Sequence, residues 1–437
     1  MIIANRRQLL HLLSAGIAAS LVPVPSLGAT PARSTTTLSN GLRVHHSATS
    51  SSFVSAALTL RSRDITGSGN LAHILEHTSF TGSAGLLTSK QVRDKHKALL
   101  HDANASTSPG VIQWRASFLP RKLESALELL ALTSLDQNFD VDTVASEARI
   151  VLQELYLEKF DGEAVIKNSF NVALYGTGHP YARQTVDEEI AKASIPPTIL
   201  AEELRTYADS IKLPANMDLF LVGNLQSEDA VRVAAKVFER FPFRNGPMLA
   251  LPPASVTRSH RDLKGKSQQL KRPLSEILIA WNTGVSVVHP DATVLAALGQ
   301  YLNELVSREL REKSGVAYSP EVSYGPDLCS GVVNVKVTTS RDPEAVERKV
   351  LGVIESLKAH IDEEELAYFK DRMEMTRYKS AESNRAVIEC MIKRALEGAA
   401  IEDCDIGAVS ASEIQAAAAK YLPSHKGNYV RAVLRGA

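Results

Sequence analysis

Residues 73–77 read HILEH, two histidines and a glutamate whose spacing becomes useful on a helix. Positions four apart on a helix lie one turn above each other, so His73 and His77 share a face, with Glu76 beside it. Leu71, Ile74, Leu75 and Thr78 point the other way. The pattern predicts a helix over 70–81, opened by Asn70 as N-cap and stopped by Gly82. Its remaining surface is apolar, which predicts burial, and a polar face on a buried helix must be met by a partner. Two imidazoles one turn apart can grip one metal ion, and zinc suits that donor set. A helix that is merely buried would hold the same residues as core histidines, but with 12 His in 437 residues chance seldom produces this spacing.

A catalytic zinc site takes three protein ligands and leaves a fourth position open. The helical spacing over Asp142–Phe160 offers the third. Glu147 and Glu154 fall on the same stripe as Val144, Ile150 and Val151, while Arg149, Gln153, Tyr156 and Lys159 crowd the far side. A carboxylate on an apolar stripe is costly unless a cation or hydrogen bonds receive it. Glu158, at the helix end, is expected to reach solvent.

Around these helices the hydrophobic pattern alternates between strand and helix periods. TTTLSNGLRVHH reads as two strands joined by an Asn40-Gly41 turn of type I′. Strands follow at Val54–Leu60, at VIQWRASF (111–118) and at MDLFLVG (217–223), with a helix over Arg121–Leu135. Residues 31–244 thus form one mixed α/β domain. The Pro-, Ser-, Arg- and Lys-rich residues 245–273 read as a linker. From 274 to 437 the order repeats: strand (EILIAWN), helix (Asp291–Lys313), strands (AYSPEVSY and GVVNVKVTT), then helices (Pro343–His360 and Glu363–Lys379). The expectation is an α+β chain of two duplicated domains, of which the first alone carries HILEH.

Composition narrows the partners. Lys+Arg and Asp+Glu both number 49, so no basic surface argues for nucleic acid. Residues 1–30 carry Arg6 and Arg7, an apolar run over Leu9–Val22 and small residues around Ser26, Gly28 and Ala29. This is an export-signal pattern, of twin-arginine or ordinary secretory type, which predicts a periplasmic chain with no membrane span once the signal is removed. Cys329, Cys390 and Cys404 have no metal-ligand spacing, and no pair among them is singled out.

His73, Glu76, His77 and a distal pair, Glu147 and Glu154, resemble the pattern of the inverzincin metallopeptidases of the pitrilysin and insulinase family, in the two-domain branch similar to mitochondrial processing peptidase. LSNGLRV, EHTSFTGS, NASTS (104–108), LYGTGHPYAR (174–183) and PANMDLFLVGN (214–224) carry the resemblance along the first half. LREKSGVAY (310–318) carries it into the second. The resemblance implies α/β-roll domains forming half of a clamshell and one Zn2+ per chain on His73, His77 and Glu154. It also implies Glu76 as general base and Glu147 as support for a ligand histidine. Arg311 and Tyr318 would steady the oxyanion, and Asn104 and Ala105 would lie on an edge that pairs with an extended peptide. Chamber-forming relatives use four such domains, so a homodimer with composite active sites is expected, degrading unfolded peptides. A glycine-rich loop found in some dimeric relatives is replaced here by LGQYLNELVSREL, which argues against presequence-type processing. Non-catalytic assembly subunits of the same fold are the alternative, although those typically lack one or more of the metal residues.

Overall fold

The computed structural model of the chain describes residues 33–436 apart from 63–69, 109, 161, 177–181, 183–185, 242–260, 268–269, 287–288, 318, 327–329, 397–408 and 426–427. The predicted export signal, Tyr318, Cys329 and Cys404 therefore lie outside the described residues.

In the first half the order is β1 (Arg33–Thr37), β2 (Arg43–Ala48), β3 (Val54–Arg61), α1 (Leu71–Thr78), α2 (Ser89–Leu99), β4 (His101–Ser108) and β5 (Val111–Phe118). It continues with α3 (Leu123–Leu135), α4 (Val141–Phe160), α5 (Gly162–Tyr175), α6 (Val186–Ala193), α7 (Pro197–Ile211), β6 (Met217–Gly223) and α8 (Ser227–Phe238). The strands form one sheet in the order β1-β2-β6-β3-β5-β4. Apolar β3 and β6 are buried along their whole length and take the centre, as strands covered on both faces must. Polar β4 takes the edge.

Leu58, Leu60, Ile112 and Trp114 face α1, α3, α4, α7 and α8 in the main core, while Ala57, Phe220 and Val222 face the other way. The β1–β2 turn sits where the sequence predicts but is of another type. Gly41 alone takes positive φ, at 90°, and its N–H donates to Leu38 O at 2.9 Å. A type I′ turn needs positive φ at both central residues, so this is a longer turn closed by a left-handed glycine.

The second half runs β7 (Arg261–Ser267), β8 (Ser275–Asn282), α9 (Ala292–Ser307), a π-helical turn (Arg308–Lys313), β9 (Glu321–Pro326) and β10 (Gly331–Thr339). Then come α10 (Pro343–Ala359), α11 (Glu363–Ala381), α12 (Asn384–Leu396), α13 (Ala411–Tyr421) and β11 (Val430–Gly436). Its sheet order is β7-β11-β8-β10-β9, with β7–β11 parallel and every other pair antiparallel. That is the pattern of β2-β6-β3-β5-β4 in the first sheet, where β2–β6 is likewise the parallel pair. The molecule is α+β, on two mixed sheets of one topology, as the repeated pattern predicts. Two readings give way. Residues 261–267, inside the stretch read as linker, are β7. The strand read in AYSPEVSY begins only at Glu321 and runs on to Pro326.

The halves exchange helices. From the second half, α12 lays Val387, Ile388, Met391, Ile392 and Ala395 on Ala57, Phe220 and Val222 of the first sheet. From the first half, α5 lays Ile166 on Ala432 and Leu434, and Ala173 and Leu174 against Ala280 and Val430, of the second sheet. Each visiting helix ends on a side chain at the far end of the equivalent strand. Arg61, the last residue of β3, donates to Ala395 O at 3.2 Å, and Asn282, the last residue of β8, donates to Leu174 O at 2.8 Å, satisfying terminal carbonyls that a helix leaves open.

Candidate metal centre

Helix α1 is eight residues long, shorter than the predicted span, and its sides divide as expected. Leu71, Ala72, Ile74, Leu75 and Thr78 are buried, while His73, Glu76 and His77 are half-buried. Asn70 occupies the N-cap position, but its side chain makes no capping bond. At the other end the helix tightens, Ser79 N–H turning to Glu76 O at 3.0 Å, and Gly82 N–H donates to Thr78 O at 3.0 Å.

Packing α4 against α1 brings three donor atoms to one point. His73 Nε2 and His77 Nε2 are 3.2 Å apart, and each is 3.4 Å from Glu154 Oε2. Zinc bonds to nitrogen and carboxylate oxygen of about 2.0–2.1 Å imply ligand atoms roughly 3.3–3.4 Å apart around a tetrahedron. The near-equilateral triangle therefore fits a zinc ion. Without an ion the two Nε2 atoms can share one hydrogen bond, with one ring protonated there; with both rings protonated on Nδ1 they offer a cation two nitrogen lone pairs. Glu76 completes the cluster, having a ligand-capable atom within 4.8 Å of those of both histidines. On the far side of His77, Glu147 Oε2 lies 3.4 Å from Nδ1, where it can set the ring's tautomer and tilt.

The two glutamates of α4 do not share one environment. Glu147 is buried, whereas the Glu154 side chain is 49% exposed and Ile150 also faces solvent. The buried stripe of α4 runs Val144, Glu147, Ala148, Val151, Leu155. Glu154 stands at its margin, reaching the histidines from the solvent side, and Glu158 is the half-buried one. Helical periodicity gives a stripe but not its edge, which depends on how α4 is rolled against α1, α6 and α7.

Burial lifts the Glu76 carboxyl above the ordinary range; His77 opposes this, and Glu154 and Glu147 add to it. Burial holds His73 down, as does the neighbouring His77, against the pull of Glu154. For His77 burial again works downward, but the Glu147 bond and the charges of Glu76 and Glu154 outweigh it and raise the value. The cluster concentrates negative charge around two imidazoles, a field that suits a divalent cation.

The remaining candidates belong to other elements. Asn104 is exposed and Ala105 buried on β4, which among the described residues pairs only with β5 and so ends the sheet. Arg311 is exposed on the π-helical turn after α9. In the second half α9 fills the place between equivalent strands that α1 and α2 fill in the first. Among the described residues, the cluster around His73, Glu76 and His77, which Glu154 joins, is the only one of this kind close enough to share an ion.

Fold and donor set together define the metallopeptidase class of half-clamshell molecules. The family Insulinase (Peptidase family M16) matches residues 61–179, and Peptidase M16 inactive domain matches residues 198–373. This chain belongs to peptidase family M16, the pitrilysin and insulinase family. It is similar to an uncharacterized zinc protease of Mycobacterium leprae, at 28% identity over 316 residues covering 69% of this chain and 67% of that protein. It is also similar to an uncharacterized zinc protease of Rickettsia bellii, at 21% over 306 residues covering 69% and 71%. Among solved structures, a protease from Helicobacter pylori has a TM-score of 0.81 at 19% identity, covering 93% of this chain and 100% of that one. The first half of a periplasmic protease from Escherichia coli has a TM-score of 0.75 at 15% identity, covering 93% of each. At these identities the structures show the shared fold.

Proposed function

We propose that this chain is a zinc-dependent endopeptidase that hydrolyses unfolded peptides, with His73, His77 and Glu154 holding the metal and Glu76 as general base. The observation that carries this reading is the triangle of donor atoms with Glu76 beside it. When bound, zinc supplies Lewis-acid polarisation of a carbonyl and makes water acidic enough to lose a proton near neutral pH. Glu76 accepts the proton of the attacking water and delivers it to the leaving amine. Glu147 fixes the His77 ring through Nδ1. The outer edge of β4, carrying Asn104 and Ala105, takes the substrate as an added strand, which selects extended chains over folded ones.

Further parts of the reading concern residues outside this cluster. Arg311 and Tyr318 would donate hydrogen bonds to the oxyanion and neighbouring backbone, entering from a second copy of the chain. Export through residues 1–30 would place the dimer outside the cytoplasm. Among the described residues no helix is long and apolar enough to cross a membrane.

One observation favours a second reading, a non-catalytic subunit of the same fold: residues 198–373 match an inactive peptidase domain. That match begins at α7 in the first half and runs on through most of the second, but it includes none of the donor residues, which all lie within residues 61–179, the stretch matched by the peptidase model. Metal analysis with a quenched-peptide assay on wild type and Glu76→Gln separates the two. The variant is expected to keep zinc and lose turnover by at least a hundredfold. Absence of zinc from wild type, or undiminished hydrolysis by the variant, would sink the mechanism. In the same assay, full activity per chain at dilutions where only monomer exists would exclude the contribution in trans.

A further inference from the structure

The end of α1 has an unusual acceptor. Ser79 N–H, which would bond Leu75 O in a continued helix, bonds Glu76 O instead, leaving the Leu75 carbonyl to side chains. Thr78 Oγ1 donates to it at 2.8 Å and Ser79 Oγ at 3.1 Å. The third donor comes from outside the helix: Gln137 Nε2, after α3, reaches Leu75 O at 3.0 Å and also lies 3.1 Å from both Thr78 Oγ1 and Ser79 Oγ. Ser79 Oγ in turn accepts from the buried Trp114 Nε1 at 2.8 Å.

The other end of the Gln137 amide is fixed as well. Lys212 Nζ, just after α7, lies 3.2 Å from Gln137 Oε1, 3.3 Å from Leu135 O and 5.3 Å from the centre of the Phe139 ring. An ammonium only donates, so the amide oxygen must face Lys212 and both amide hydrogens must face α1. We propose that Gln137, oriented by Lys212, is a positioning residue for the metal centre, fixing the turn of α1 that presents Glu76 and His77. The inference rests on the reading of His73, His77 and Glu154 as metal ligands. Burial pushes the Lys212 ammonium down to about 7, against the pull of Asp136 and Asp209, the charged groups that act on it. The orientation is therefore strictest in acid and slackens once the amine can also accept.

Zinc affinity by chelator competition, with kcat and KM, tests this on full-length wild type, Gln137→Glu and Lys212→Met. Gln137→Glu keeps the shape but presents oxygen to Leu75 O. It should weaken zinc ten- to hundredfold, the range for residues that orient metal ligands, and lower kcat with little change in KM. Lys212→Met leaves every contact to α1 chemically intact while freeing the amide to flip, so it should follow in the same direction. Its deficit relative to wild type should narrow between pH 6 and 8.5. If wild type binds zinc and both variants bind it as tightly, positioning is excluded; a Lys212→Met variant that alone binds zinc as tightly as wild type excludes the orienting role of Lys212. Failure of wild type to bind zinc would instead overturn the metal-centre reading itself.

Discussion

A single buried carboxylate shows how much a residue's partners decide. Asp218 on β6 is fully buried, and Arg43 and His45 of the neighbouring strand converge on it, Arg43 through two bonds of 2.6 Å and His45 Nε2 at 2.7 Å. Burial pushes its carboxyl up, but the bonds from His45 and Arg43 outweigh this and hold it below the ordinary range. Replacing Asp218 by Asn should destabilise the chain by about 3–5 kcal/mol in urea denaturation at neutral pH, because Arg43 loses its counter-charge in a buried setting. A carboxyl with a depressed folded value contributes stability above its unfolded pKa of about 3.9 and loses it as pH falls through the folded value. The gap between wild type and Asp218→Asn should therefore shrink below about pH 4. Residues of this kind are hard to read in sequence: RVHH and MDLFLVG each announce a strand, but nothing local says that Asp218 and Arg43 stand in register across parallel strands 175 residues apart.

Elements follow the same division. The strand at 111–118 and the helix over Val141–Phe160 are legible because one face is buried and the other wet, so the period shows. By contrast β7, RDLKGKS, is charged and sits at a sheet edge, and its sequence carries no apolar alternation. It is a strand because β11 offers it a parallel partner along seven residues. Helix α12 lies beyond the helices read in the sequence, and nothing local says that it packs on the other half's sheet. Met391, fully buried there, should cost about 2–5 kcal/mol when replaced by Ala, the range for large-to-small changes in a closed core. A loss under 1 kcal/mol, measured by urea denaturation, would mean that α12 is only loosely docked.

For the whole molecule the exchange of α5 and α12 has a thermodynamic consequence. Neither sheet keeps both faces covered without the other half, so the halves should unfold together although each has its own core. The two tryptophans, Trp114 in the first core and Trp281 in the second, are both buried and report on one half each. Single-tryptophan variants, Trp114→Phe and Trp281→Phe, should give fluorescence and circular-dichroism urea curves with coincident midpoints within each variant. Separate transitions would show that the exchanged helices detach first.

The sequence by itself determined the α+β class, the repeated order of strands and helices, and the HILEH face of α1, because periodicity and local spacing are properties of neighbouring residues. It also marked Glu147 and Glu154 as carboxylates on an apolar stripe, which holds for Glu147 and not for Glu154. Only the tertiary structure decided that Glu154 stands at the solvent margin with its oxygen 3.4 Å from both histidine nitrogens, that Glu147 lies buried behind His77, and that Gln137 and Lys212 grip the end of the same helix. Those facts depend on the roll of one helix against another and on contacts between residues tens of positions apart. No pattern along the chain encodes them, because the packing energy that sets them is shared among side chains from many elements.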